Sequence, residues 1–195
     1  MRFVLGMIVG ALLLCLAVFC YLWGGFAPTA TDAHPFPYEQ RIAMHALHTR
    51  ADKEAPKNPP ANIPVSDVTY MAGANVYTDD CSVCHGLPGQ GRTAIAAGMY
   101  PRPPQLFKGT GVTDDPAGET YWKVKNGIRL TGMPAFKDTL TDEQMWQVAI
   151  LLANADKIDP STKKMLETAQ PSTTAKPATN QPAQPDKGDD HDHKH

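Results

Sequence analysis

Five residues near the middle of the chain constrain it most: Cys81-Ser82-Val83-Cys84-His85. Two thiols at this spacing fall on one side of a helical turn, where both can add to the vinyl groups of a single porphyrin. The next residue then offers an imidazole to the iron, so the pentapeptide reads as the attachment signature of a c-type haem. A C-x-x-C pair has two other uses. A zinc site needs two further ligands at short spacing, but the remaining cysteines, Cys15 and Cys20, lie inside an apolar run. A thioredoxin-like dithiol needs a βαβ pattern around it, and none is evident.

The chain has 195 residues and a formal net charge of -2. No basic run points to nucleic acid, and no nucleic-acid partner is expected. Four regions follow from composition. Residues 1–27 are a transmembrane anchor or signal. Phe3 to Phe26 are nearly all apolar and uncharged, long enough to span a hydrocarbon core. A retained anchor is favoured over a cleaved signal, because the run exceeds a signal's apolar region and Pro28 follows the candidate cut after Ala27. Cys15 and Cys20 read as apolar membrane residues, since Leu14 and Phe19 precede them where a lipoprotein signal wants a small residue. Residues 28–65 form a Pro-rich linker, a semi-stiff stalk or docking segment, with a short helix over Tyr38 to Arg50. Residues 66–158 form the folded domain, small enough that a bound cofactor helps complete its core. Residues 159–195 are a disordered tail, rich in Pro, Ala and Thr and then in His and Asp. Its Asp189–His195 end has a composition that can bind metal, though solvated chain is the plainer reading.

Within the domain, Ser66 is an N-cap candidate. The helix after it, Asp67 to Thr78, places Val68, Ala72 and Val76 on one face and Gly73 and Tyr77 on an adjoining stripe. Prolines hold Tyr100 to Leu106 extended. A short helix over Glu119–Asn126 ends at Gly127, and a loop follows from Arg129 to Phe136. The last helix opens with a capping box, Thr141 and Gln144, and a staple pair, Leu140 and Met145. Its stripes Met145, Val148, Ala149, Leu152 and Trp146, Ile150, Ala153 predict deep burial. No strand pattern is convincing, so the domain is expected to be mainly α.

A six-coordinate haem iron needs a ligand opposite His85. Met133 is the candidate: its thioether is soft and neutral and favours ferrous iron. It sits between Gly132, which permits close backbone approach, and Pro134, which stiffens the loop. Met99, also beside a glycine, is the runner-up, while Met71 and Met145 lie on helices and read as core. His45 and His48 precede the domain and read as solvated surface histidines. A single C-x-x-C-H predicts one covalent haem.

From about Ser66 to Lys157 the chain resembles the class I (mono-haem) cytochrome c family, in a membrane-anchored bacterial form. The likeness rests on Cys81-Ser-Val-Cys-His85, Pro104-Gln-Leu106, Gly132-Met133-Pro134-Ala-Phe136 and the closing amphipathic helix. The resemblance implies the class I cytochrome c fold, helices wrapped around one haem, with two terminal helices crossing at a small residue and an aromatic. Gly73 and Tyr77 fit those positions, with Trp146, Ile150 or Leu152 opposite. It implies that the Pro104 carbonyl accepts the Nδ1 proton of His85, and that Leu106, Ile128 and Phe136 line the haem edge. It also suggests propionate donors among Tyr100, Arg102, Trp122 and Arg129. The double proline after Arg102 departs from the family's usual Gly-Pro.

These residues imply an electron carrier rather than an enzyme, shuttling single electrons in a membrane-associated respiratory chain. The expected partners are a quinol-oxidising complex and a terminal oxidase or reductase, with the protein either free or a subunit of such a complex. The single-haem subunit of alternative complex III is similar in outline. The expected setting is the bacterial cytoplasmic membrane, with the haem domain on the periplasmic side. The alternative is a haem protein whose open iron binds peroxide or gas, which would want a distal acid–base residue.

Overall fold

The computed structural model describes residues 2–108 and 115–171. The chain divides into two units, Met1–Ala43 and Met44–His195.

In the first unit, the apolar run forms one helix, α1 (Arg2–Trp23), of 22 residues with no buried residue. At 1.5 Å per residue it reaches about 33 Å, enough to cross a hydrocarbon core of about 30 Å. Phe19 and Trp23 stack near its end, with ring centroids 5.5 Å apart, the composition favoured at a membrane–water boundary. Cys15 and Cys20 are exposed free thiols on this helix.

A second helix, α2 (Glu39–Glu54), crosses into the second unit and runs four residues past the expected end at Arg50. Its carboxyl-terminal part is not a free stalk. Ala51 is fully buried, and Ile63 further on is buried in the core.

Ser66 caps α3 (Asp67–Val76), its hydroxyl accepting the Thr69 N–H at 3.3 Å. Its buried positions include Tyr70, Gly73, Ala74 and Tyr77, an i, i+3, i+4, i+7 stripe, with Thr69 and Val76 buried beside it. Val68, expected to face inward, lies off this stripe and is 80% exposed. The regular helix stops at Val76, and Tyr77–Cys81 widens into a π-helical turn leading to α4 (Ser82–His85). Then follow α5 (Ala94–Gly98), α6 (Ala117–Asn126), α7 (Asp142–Ala153) and α8 (Pro160–Thr168). Among the described residues there is no strand.

Helix α7 is the hub, packed against both α3 and α6. Both halves of its capping box form: Gln144 N–H donates to Thr141 Oγ1 at 3.2 Å, and Thr141 N–H to Gln144 Oε1 at 2.9 Å. Leu140 and Met145, the staple pair, are both buried. The crossing with α3 depends on Gly73. A Cβ there would overlap the Gln147 carbonyl oxygen, stand 2.7 Å from its carbon and 3.1 Å from the Leu151 Cβ. The atoms nearest that position belong to Gln147 and Leu151, neither of which was among the expected counterparts. Trp146 instead stacks on Tyr121 of α6, centroids 4.3 Å apart and planes 13° from parallel.

The region expected to be tail from residue 159 still contains structure. Asp159 caps α8 through the Ser161 and Thr162 amides, and Pro160 stands at the first helical position, where its missing N–H costs nothing. Thr162 and Leu166 are fully buried, and α8 packs against α3. The His/Asp-rich end lies outside the described residues.

Candidate haem site

The attachment motif sits on α4, and its cysteines are free and partly buried. Burial pushes the Cys81 thiol up to about 12, with the Asp80 charge adding to it, and burial raises Cys84 as well. A redox dithiol needs the opposite, a thiol pKa lowered toward neutrality, so the electrostatics disfavour that use. Among the described residues no group of three His, Cys, Asp or Glu side chains is placed to hold a metal ion.

His85 is held from behind. Its Nδ1 lies 2.8 Å from the Pro104 carbonyl oxygen. A carbonyl only accepts, so Nδ1 carries the proton and donates, leaving the Nε2 lone pair available. Burial lowers the His85 pKa against the opposing effect of this bond, which keeps the imidazole neutral at neutral pH. The extended prolines expected between Tyr100 and Leu106 present that carbonyl. Tyr77 ties down the exit of the motif: its hydroxyl donates to the Gly86 carbonyl at 2.7 Å, and its ring meets Phe107 edge-on at 4.9 Å. Gly86 itself has φ +74, a conformation a side chain would strain.

Met133 stands in a bracketed loop. Ile128 N–H donates to the Met133 carbonyl at 3.1 Å. Thr131 Oγ1 donates to the Ile128 carbonyl at 2.7 Å and accepts from Met133 N–H at 3.1 Å. The fold-back depends on Gly127, at φ +66, where a Cβ would lie 2.7 Å from the Pro134 carbonyl carbon and the Ala135 nitrogen. Phe136 N–H then returns to the Val124 carbonyl at 3.0 Å, fixing the loop to α6.

Cys81, Leu106, Phe107, Met133 and Phe136 are only partly buried, and all pack against the core cluster. A half-covered apolar fringe carrying an attachment cysteine, with a neutral imidazole beside it, fits a flat hydrophobic cofactor. Ile128 is likewise half-buried.

Of the expected propionate donors, Arg102 and Arg129 stand exposed and Tyr100 is at the surface. The Trp122 Nε1 donates to Glu54 Oε2 of α2 at 3.3 Å. His48 is also more than a solvated histidine, with Nδ1 3.0 Å from Glu119 Oε1.

Some supporting residues carried no strong signal in the sequence. Thr93 caps α5 by accepting the Ala96 N–H at 3.1 Å, while its hydroxyl donates to the Val83 carbonyl within the motif at 2.6 Å. A threonine just before Ala-Ile-Ala-Ala is a legible cap, but its second bond is not. Arg92 Nη1 donates to the Pro103 carbonyl at 2.6 Å, beside the carbonyl that holds His85.

Residues 68–152 match the family described as cytochrome c oxidase, cbb3-type, subunit III. The chain is also 26% identical over 150 residues to the quinohemoprotein alcohol dehydrogenase ADH IIB of Pseudomonas putida, an alignment covering 70% of this chain and 20% of that protein. The chain thus spans about a fifth of that relative's length. With the attachment motif on a helix, the imidazole held at Nδ1 and the apolar fringe around them, residues 68–152 form a class I c-type cytochrome domain, a module that carries haem c and transfers electrons through it.

Proposed function

We propose that the protein is a single-haem electron carrier ligated by His85 and Met133, held at a membrane by α1. In this reading it passes single electrons in a respiratory chain, between a quinol-oxidising complex and a terminal oxidase or reductase, and does no substrate chemistry of its own. The observation that carries the reading is the pairing of a neutral His85, its Nδ1 committed to Pro104 at 2.8 Å, with a Met133 loop bracketed at both ends.

The haem, when bound, supplies the one-electron iron couple. The chain supplies everything that tunes it. Cys81 and Cys84 would hold the group covalently. Pro104 orients the imidazole and raises its basicity. The thioether of Met133 favours the reduced state. Leu106, Phe107 and Phe136 exclude water from the site, and two ligands fixed by the protein leave little to rearrange when the charge changes. The family description, an oxidase subunit, supports a place in a membrane redox complex. The single span supports attachment to the bacterial cytoplasmic membrane, with the haem domain on the periplasmic side where c-type haem is attached.

The test is an optical spectrum of the purified holoprotein, oxidised and reduced, with and without carbon monoxide. A near-infrared sulfur-to-iron band, a low-spin reduced spectrum and no response to carbon monoxide are expected in the wild type. Met133→Ala is expected to lose the band and bind carbon monoxide. A high-spin wild type that binds carbon monoxide overturns the reading in favour of an open iron site.

A further inference from the structure

Met133 is not the only thioether at the ligand loop. Helix α5 has a foot on each side of the site. At its start Thr93 bonds the Val83 carbonyl, on the side of the attachment turn. Just past its end Met99 turns extended, at φ -86 and ψ 147, and lays its side chain on Gly132. A Cβ at Gly132 would fall on the Met99 methyl carbon and lie 3.4 Å from its sulfur. The segment between is closed on itself by the Arg92–Pro103 bond, and Pro104, next along, holds His85.

Residues 92–104 therefore form a girdle touching the attachment turn, the Met133 loop and the imidazole in succession. Gly132 immediately precedes Met133. The hydrogen bonds of the loop attach Ile128, Thr131 and Met133, while among the described residues the Gly132 backbone makes none, so the Met99 side chain is what bears on it. An unbranched, polarizable side chain suits such a gap, because it can follow the shape of bare backbone.

We propose that Met99 is a positioning residue for the axial thioether: seated on Gly132, it braces the turn that delivers Met133 to the iron. The proposal rests on the His85/Met133 reading. Without the brace, Gly132 gains conformational freedom and Met133 leaves the ferric iron more often. The missing Cβ of Gly132 leaves the space in which the Met99 methyl rests.

The test uses full-length oxidised holoprotein in detergent micelles and imidazole as the competing ligand. The readout is the rate at which the near-infrared sulfur-to-iron band disappears. Met99→Ala is expected to speed displacement on the order of tenfold, the loss of a half-buried side-chain contact. Met99→Leu, similar in volume but without sulfur, is expected to stay close to wild type. Gly132→Ala should also speed displacement, and Met99→Ala/Gly132→Ala should fall well short of the product of the two single effects, because alanine at 99 vacates the space the new Cβ needs. Displacement at the wild-type rate in Met99→Ala, or strictly multiplicative effects in the pair, overturns the proposal while leaving the ligation reading intact. A wild type with no sulfur-to-iron band overturns both. A change in urea midpoint without a change in displacement rate marks Met99 as ordinary core packing and also overturns the proposal.

Discussion

Gly73→Ala tests the contact on which the domain is built. In an exposed helix, replacing glycine with alanine stabilises by about 1 kcal/mol, because the unfolded chain loses freedom and the helix gains a better former. At Gly73 the sign reverses. The added Cβ would overlap the Gln147 carbonyl oxygen and lie 2.7 Å from its carbon, where carbon atoms ordinarily rest about 3.5–4.0 Å apart. Helices α3 and α7 must therefore separate by about 1 Å, and a gap of that size forfeits a quarter to a half of each dispersion contact across it. The side chains along this seam are fully buried, among them Ala74, Val148 and Leu151, so little of the loss can be recovered by moving into solvent. Overpacking of this kind costs about 1–3 kcal/mol, which exceeds the propensity gain at most of its range. The assay is urea unfolding of the holoprotein followed by tryptophan fluorescence, with the haem spectrum recorded in parallel. The expected result is a lower midpoint, an unchanged slope and an unchanged sulfur-to-iron band. A midpoint equal to or above wild type would refute the crossing at Gly73, because only an open position gains from the extra methyl.

Three further outcomes follow from other contacts. A Cβ at Gly118 would overlap the Pro56 carbonyl oxygen and lie 2.9 Å from its carbon, so Gly118→Ala should release residues 44–65 from α6. Amide hydrogen exchange across that segment should accelerate while α3 and α7 keep their protection, and unchanged exchange at Ala51 and Ala55 would count against the contact. Trp122→Phe removes the bond to Glu54 and should leave the midpoint potential where it is; a shifted potential would return Trp122 to the haem edge. Bonds from Ser161 and Thr162 hold the Asp159 carboxyl down at about 2, below its ordinary 3.8. A depressed carboxyl stabilises above its unfolded value and stops doing so as the pH falls through the folded one. The α8 amides should therefore keep their protection above pH 4 and lose it progressively between about pH 4 and pH 2; protection independent of pH there would refute the cap.

What was legible in the sequence divides by the range of the signal. Covalent spacing and local capping act over a few residues, so the attachment turn, the Ser66 and Thr141 caps, the Gly127 stop and the Met133 loop all appear where the residues point. The Pro104 bond to His85 was reachable through the family likeness, and the structure has it at 2.8 Å. The choice of helix face was not reachable from hydropathy alone. Val76 is buried as expected and Val68 is not: the face of α3 is set by the absence of a side chain at Gly73, and a glycine contributes nothing to an apolar stripe. The same limit hid Leu151, fully buried because it stands opposite that glycine.

The segment before the domain shows the limit most clearly. Its prolines and charges left a stalk or a docking segment open, because a polar, proline-rich run has little apolar surface to bury. Its contact with α6 instead uses what composition discounts: the bare backbone of Gly118 under the Pro56 carbonyl and a charge cluster. In that cluster Glu119 Oε1 receives both His48 at 3.0 Å and Lys123 at 2.9 Å, and Lys123 also reaches Asp115 at 2.7 Å. Burial works to lower the Lys123 pKa, but the hydrogen bonds to Asp115 and Glu119 outweigh it and hold the ammonium charged. Glu119 is buried, and a buried carboxylate without its partners would be costly, so removing His48 or Lys123 would leave a penalty at the point where the segment meets α6. Because α6 also anchors the Met133 loop through the Val124 carbonyl, residues 44–56 are joined to that loop by a single intervening helix. A strain applied at residues 44–56 therefore has a short covalent and hydrogen-bonded route to the Met133 loop, whereas a free stalk would have none.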